Sequence, residues 1–192
     1  MNSKSVKIFG MVIFLMSMQD FTAYGQLKVA PLPDDSRATD IDKFFIKKVY
    51  EVAREASETS YPYGALLVHE GKIIATYGNT VKEAGDVTMH AETGLLSYAS
   101  KEFGAEVLVN STLYTSTEPC IMCSGAIYWA GIKKVVYGTT ELQARLLFDE
   151  DAEKRLISSR EAFSRIRPDV EIIGPVLEEE GLLIHVLFSK KK

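Results

Sequence analysis

The alternation of helical and strand-like segments along this 192-residue chain predicts an α/β sandwich, with helices on both sides of a mostly parallel sheet. Two further observations support that class. A hairpin signal near residue 70 adds antiparallel pairing, so the sheet is mixed. A composition of 46% hydrophobic and 25% charged residues, at this length, suits one domain with a full-sized core.

A helix starts near Asp40, where Phe44, Phe45, Val49, Val52 and Ala53 recur at i, i+3 and i+4, interrupted by Lys48. It ends between Ser57 and Ser60. Gly64–His69 and Lys72–Tyr77 are β-rich runs around the turn pair Glu70-Gly71. Asn79–Met89 is a polar loop, and His90–Phe103 a helix that Gly104 ends. Thr112–Ser116 is a short strand. Pro119 opens the next helix, at a position where its missing N–H costs nothing, and Gly131 stops it after Ala130. Lys133–Tyr137 is a strand, Glu141–Arg165 a mostly helical charged stretch, Val170–Ile173 a strand and Glu178–Phe188 a closing helix.

The first residues resemble an export signal. Lys4 and Lys7 precede an apolar run, Ile8–Met18, too short to span a bilayer, and Ala23-Tyr24-Gly25 is a small-x-small cleavage site. Residues 1–25 are therefore expected to be removed on export to the periplasm or outside, although Asp20 is an unusual charge there and the alternative is an extension on a cytoplasmic protein. The segment has no cysteine to carry a lipid, so no stable membrane anchor is expected. Residues 26–39, with Pro31 and Pro33, read as a linker, and 40–192 as the functional domain. The net charge of −4 and pI near 5.5 argue against a general nucleic-acid binder, which needs a basic face. Lys190-Lys191-Lys192 reads as a solvated tail.

The chemistry concentrates in His90-Ala91-Glu92 and Pro119-Cys120-Ile121-Met122-Cys123. The chain's two cysteines, taken alone, fit a disulfide, a redox pair or metal thiolates. Their neighbours narrow the choice. Both stretches start helices, where free N–H groups and partial positive charge favour thiolates. Cys120 and Cys123 share one side of a turn. With His90 they make three ligands where a structural zinc site usually has four, which leaves one position open for water. His69 and His185 lie far from both motifs in sequence. Glu92 is placed to carry the proton from that water to a ring nitrogen and then to a leaving amine.

Taken together, H-x-E followed by P-C-x-x-C resembles the signature of zinc deaminases. The segment from His90 to Gly138 is similar to the cytidine-deaminase-like superfamily that includes bacterial guanine deaminase, tRNA adenosine deaminase and fungal cytosine deaminase. The resemblance implies a three-layer α/β/α fold with a five-stranded mixed sheet, bound Zn2+ and, usually, a homodimer. Ala126-Ile127-Tyr128-Trp129-Ala130 and Pro62-Tyr63-Gly64 look like guanine-deaminase segments, implying that Tyr63 and Trp129 wall the base pocket, Trp129 in its own chain or, in a dimer, in the neighbour's. Asn79 has the family spacing for a side chain that holds the base, and the Ala91 backbone is expected to help orient the ring. As ordinary residues, Trp129 and Tyr63 would be core aromatics and Asn79 a turn residue. The guanine enzymes carry a further aspartate in proton transfer, for which Asp149 and Asp151 are the candidates.

The expected function is thus hydrolytic deamination of a small amino-substituted N-heterocycle, guanine-like first. The alternatives are a tRNA adenosine deaminase, a cytosine- or cytidine-type deaminase, and a zinc-binding module without catalysis. The intact Glu92 opposes the last.

Overall fold

The computed structural model describes residues 30–149 and 151–190. The expected signal segment, residues 26–29 of the expected linker and the last two lysines lie outside the described residues. Residues 30–39 do not hang as a tether. Asp34 Oδ1 accepts the Leu177 N–H at 2.7 Å, Asp35 donates its own N–H to the Pro175 carbonyl at 2.8 Å, and Asp35 Oδ2 accepts from Arg160 at 2.9 Å. Two aspartates following two prolines make an extended strap that satisfies backbone donors of the chain it crosses.

Helix α1 (Asp40–Ala56) begins in a reciprocal cap between Thr39 and Asp42. Its buried stripe is Phe45, Ile46, Val49, Tyr50 and Ala53, while Phe44, expected on that stripe, is 54% exposed. Strands β1 (Gly64–His69) and β2 (Lys72–Gly78) form the expected hairpin. Glu70 and Gly71 have φ of 47° and 73°, the paired positive values that a tight twisted hairpin requires.

The loop after β2 contains a short helix, α2 (Val81–Ala84), and leads into α3 (Ala91–Glu102). Gly104 does not end helical structure. At φ 75° it redirects the chain into a second short helix, α4 (Gly104–Val109). Then follow β3 (Ser111–Thr117), α5 (Ile121–Ala130), β4 (Lys134–Thr139) and α6 (Glu141–Leu146). A 3₁₀ turn (Ala152–Arg155), α7 (Ser159–Ile166), β5 (Glu171–Ile173) and α8 (Glu178–Ser189) complete the described chain. Among the described residues, no helix is long and apolar enough to cross a membrane.

The sheet order is β2-β1-β3-β4-β5. It is less parallel than expected: β1 pairs antiparallel with both β2 and β3, and only β3–β4 and β4–β5 are parallel. The reason is that the connection through α3 and α4 passes over β1, so β3 lands beside a strand running the opposite way.

Strand alternation divides the core in two. Leu66, Val68, Tyr114, Val136 and Ile173 meet Phe45, Ile46 and Val49 of α1 and Ile184 of α8. Ala65, Leu67, Leu113, Val135 and Ile172 face Leu95 of α3, Ile127 of α5 and Phe163 of α7. Helix α8 can lie close because residue 181 is glycine: a Cβ there would collide with Thr139 and Tyr50. That approach matters below, because α8 carries His185.

Candidate metal centre and substrate cavity

His90 and Cys120 occupy equivalent places, the N-caps of α3 and α5, both with extended backbone. Neither side chain caps its own helix. Both are turned toward the space where the two N-termini meet. Pro119 therefore stands one residue outside the cap and does not open the helix itself. Cys123, in the first turn of α5, completes the group.

His90 Nδ1 lies 3.7 Å from Cys120 Sγ and 3.6 Å from Cys123 Sγ, and all three donors fall within 4.8 Å of one another. Tetrahedral zinc with Zn–S of about 2.3 Å and Zn–N of about 2.05 Å would separate nitrogen from sulfur by about 3.5 Å. The spacing thus suits a zinc ion without rearrangement. Both cysteines are free thiols. The two sulfurs share a hydrogen bond that drives their pKa values apart. The hydrogen bond from Cys123 and the nearby His90 pull the Cys120 thiol down to about 4, and the same partnership, with burial, pushes Cys123 up. A bound cation takes the place of the proton in that hydrogen bond.

Glu92 follows His90 by two residues and is 6% exposed. The Thr115 hydroxyl donates to its Oε1 at 2.9 Å, and Cys123 Sγ lies 3.4 Å from its Oε2. Burial raises its carboxyl above the ordinary glutamate value. A carboxyl that readily holds a proton, beside the donor cluster, is suited to moving one.

Above this cluster opens a cavity of about 560 Å³. Tyr63 and Asn79 line it as expected, together with His90, Glu92 and Cys120. Asn79 is buried, and its Oδ1 accepts from Ser60 Oγ (2.7 Å) and the Val81 N–H (3.1 Å). Its amide NH2 is the part left to donate to a ligand. Burial pushes the Tyr63 hydroxyl up to about 12, so the ring stays neutral. Ala91 is fully buried in the core behind the cluster, and its side chain is outside the lining.

Trp129 does not line this chain's cavity. It is 85% exposed. Six residues beyond Cys123 is about 240° around a helix, so the same helix that aims the cysteine inward aims the tryptophan away. Asp149 and Asp151 also lie outside the lining, and Asp151 is paired with Lys154 at 2.7 Å on the surface.

Several lining residues were not found from sequence. Glu141 and Arg145 are one turn apart on α6, a pattern that reads as a solvated ion pair. Thr117 ends β3, and its Oγ1 lies 3.2 Å from Nε2 of His185. The His185 ring also packs on Tyr63, with centroids 5.2 Å apart. Burial lowers the His185 pKa to about 4, so this histidine is a neutral neighbour of the cavity and not a ligand.

A mixed sheet between helices, with a His–Cys–Cys centre at two helix N-termini and a buried glutamate beside it, is the architecture of a zinc-dependent deaminase. A family model for the cytidine and deoxycytidylate deaminase zinc-binding region matches residues 39–139. The chain is 35% identical over 151 residues to a probable cytosine deaminase of Schizosaccharomyces pombe, covering 75% of this chain and 90% of that one. It is 40% identical over 98 residues to a tRNA-specific adenosine deaminase of Agrobacterium fabrum, covering 50% and 64%. The X-ray structure of guanine deaminase from Bacillus subtilis superposes with a TM-score of 0.51 at 39% identity, covering 61% of this chain and 71% of that one. The chain belongs to the cytidine and deoxycytidylate deaminase zinc-binding family, whose members here are hydrolases of C–N bonds in cyclic amidines and whose metal is zinc.

Proposed function

We propose that this protein deaminates a small heterocycle, a guanine-like purine base or nucleoside first, with His90, Cys120 and Cys123 as zinc ligands and Glu92 as proton carrier. The observation that carries the reading is the convergence of three metal donors and one buried carboxyl at the base of a cavity of about 560 Å³. When bound, zinc supplies Lewis acidity toward a water molecule.

The side chains then do the rest. Glu92 takes one proton from water and places it on the ring nitrogen. It delivers the other to the exocyclic amine, so a C–O bond forms, the C–N bond breaks and ammonia leaves. Thr115 holds the Glu92 carboxyl in place. The Asn79 amide and the Ala91 backbone orient the ring, and Tyr63 forms one wall.

The relatives include enzymes named for cytosine, guanine and tRNA adenosine. A free base or nucleoside is favoured over tRNA by the acidic composition and by a cavity bordered by Glu92, Glu118 and Glu141. The test is ammonia release by the zinc-loaded protein from free bases, nucleosides, pterins, triazines and an anticodon stem-loop. Turnover of the stem-loop with no small-molecule activity overturns the substrate class.

Two further readings belong here. The chain pairs as a homodimer through the face of α5 where Ile121 and Trp129 are exposed at 57% and 85%, since large apolar side chains so bare favour a partner. Residues 1–25 are a cleaved export signal, supported by Lys4, Lys7, the apolar run and the Ala23-Tyr24-Gly25 site. Sedimentation tests the first, and intact mass from the native host tests the second.

A further inference from the structure

The cavity contains a carboxylate that the proton transfers above leave without a task. Glu141 begins α6, whose cap is Thr140. Its side chain is 9% exposed and borders the cavity beside His90 and Cys120. Arg145, one turn on, donates to Oε1 from Nε at 2.8 Å and from an Nη at 2.6 Å. Among the described residues nothing donates to Oε2. A nearly buried acceptor with unused capacity, on the wall of a ligand cavity, calls for a donor from the ligand.

Apart from Arg145, the charge around Glu141 is negative. Glu92 and Glu118 border the same cavity, and Arg145, already tied to Glu141, is the one lysine or arginine among its described lining residues. A divalent cation on two thiolates adds no net charge. Lys82, just outside, lies over the rings of Tyr61 and Phe188 at 4.7 and 5.1 Å. Burial pushes the Glu141 carboxyl up to about 7, and the Cys120 thiolate adds to that push. A substrate N–H donated to the carboxylate favours its ionised form.

We propose that Glu141, held by Arg145, accepts a hydrogen bond from a ring or amino N–H of the substrate and selects neutral bases and nucleosides over their 5′-monophosphates. The inference rests on the deaminase reading above. A ligand without the donor leaves Oε2 without one in a nearly closed site, and a ligand phosphate meets like charge, so both are disfavoured. Glu141 touches substrate. Arg145 is a positioning residue that acts through it.

The test is equilibrium binding of guanine and cytosine, their nucleosides and their 5′-monophosphates to zinc-loaded Glu92→Gln protein, with and without Glu141→Gln. Ammonia release by the wild type and by Glu141→Gln is measured alongside. We expect Glu141→Gln to weaken base binding about tenfold or more. The preference for base over monophosphate should shrink by about tenfold as well. Arg145→Met should reproduce the loss of base affinity, and Arg145→Lys should restore part of it. An unchanged preference in both Glu141→Gln and Arg145→Met overturns the proposal. So does wild-type preference for monophosphates, which would assign Arg145 to a phosphate, and so does a failure to bind any of the six compounds. A Glu141-dependent preference without ammonia release would break the deaminase reading alone. Turnover indifferent to Glu141→Gln would break this inference alone.

Discussion

The two sides of the cavity are built differently. On the metal side, four functional groups come from the first turns or caps of α3 and α5: His90, Glu92, Cys120 and Cys123. On the opposite side, Tyr63 precedes β1, Asn79 follows β2, Thr117 ends β3 and Glu141 begins α6, while His185 of α8 packs behind Tyr63 and Thr117. The metal side depends on two short local motifs whose helices share one face of the sheet. The far side depends on loop ends and helices from both faces. The same cavity thus has one wall set by local geometry and another set by topology.

The largest expected effect tests the metal side. Cys120→Ser should lose both zinc and turnover entirely, because a serine hydroxyl is a poor third ligand beside one thiolate and one imidazole. Elemental analysis together with an ammonia assay measures both. A variant that keeps stoichiometric zinc and activity would remove Cys120 from the centre and erase the contrast between the walls.

Glu92→Gln should come next. It keeps zinc and fold, since the amide fills the same space against Thr115, yet turnover should fall by about 10²–10⁴-fold or more. Near-normal rates in protein of confirmed zinc content would show that another group carries the proton.

The far side is sharpened by His185. Its folded pKa of about 4 lies below its ordinary value of 6.5, so the unfolded chain takes up the proton first as pH falls. Its contribution to stability is intact above about 6.5 and is lost as pH drops toward 4. Between pH 7 and 5 the loss is about 2 kcal/mol. His185→Gln retains an amide near Thr117 but does not titrate, so urea midpoints at the two pH values should draw closer in that variant. An unchanged pH dependence would mean that His185 is not held neutral by burial.

Trp129→Ala is expected to have the smallest effect on the single chain: within about 0.5 kcal/mol of wild-type stability, with zinc content unchanged. Its effect should appear instead as weaker self-association in sedimentation. Loss of base affinity in a variant shown to be monomeric would return Trp129 to this chain's own cavity wall.

Much of this molecule was legible in the residues alone, for particular reasons. Glu70-Gly71 between β-rich runs specified a hairpin because that turn needs two positive φ values. The two motifs specified a shared centre because a cap residue and its first turn always present side chains in front of the helix. Asn79 was singled out by its spacing before His90 and Tyr63 by the likeness of a short segment, and both line the cavity. Trp129 could not be assigned to its own chain's cavity or a neighbour's from sequence, because likeness gives an order along the helix and not the phase that turns position 129 away from position 123. Glu141 was passed over because an i, i+4 Glu–Arg pair has the same pattern whether it faces water or a cavity.

What the sequence determined by itself is the alternation of elements and, within each of the two motifs, the placement of the donors and the glutamate at a helix start, since each rests on residues a few positions apart. What the tertiary structure alone decided is which long-range neighbours complete the site. The antiparallel landing of β3 beside β1 places Thr115 against Glu92. Gly181 lets α8 settle onto β4, and α8 brings His185 to Thr117 and Tyr63. The physical reason is separation: Thr117 and His185 are 68 residues apart, so no local propensity encodes their meeting, and only the packing of α8 against the sheet produces it.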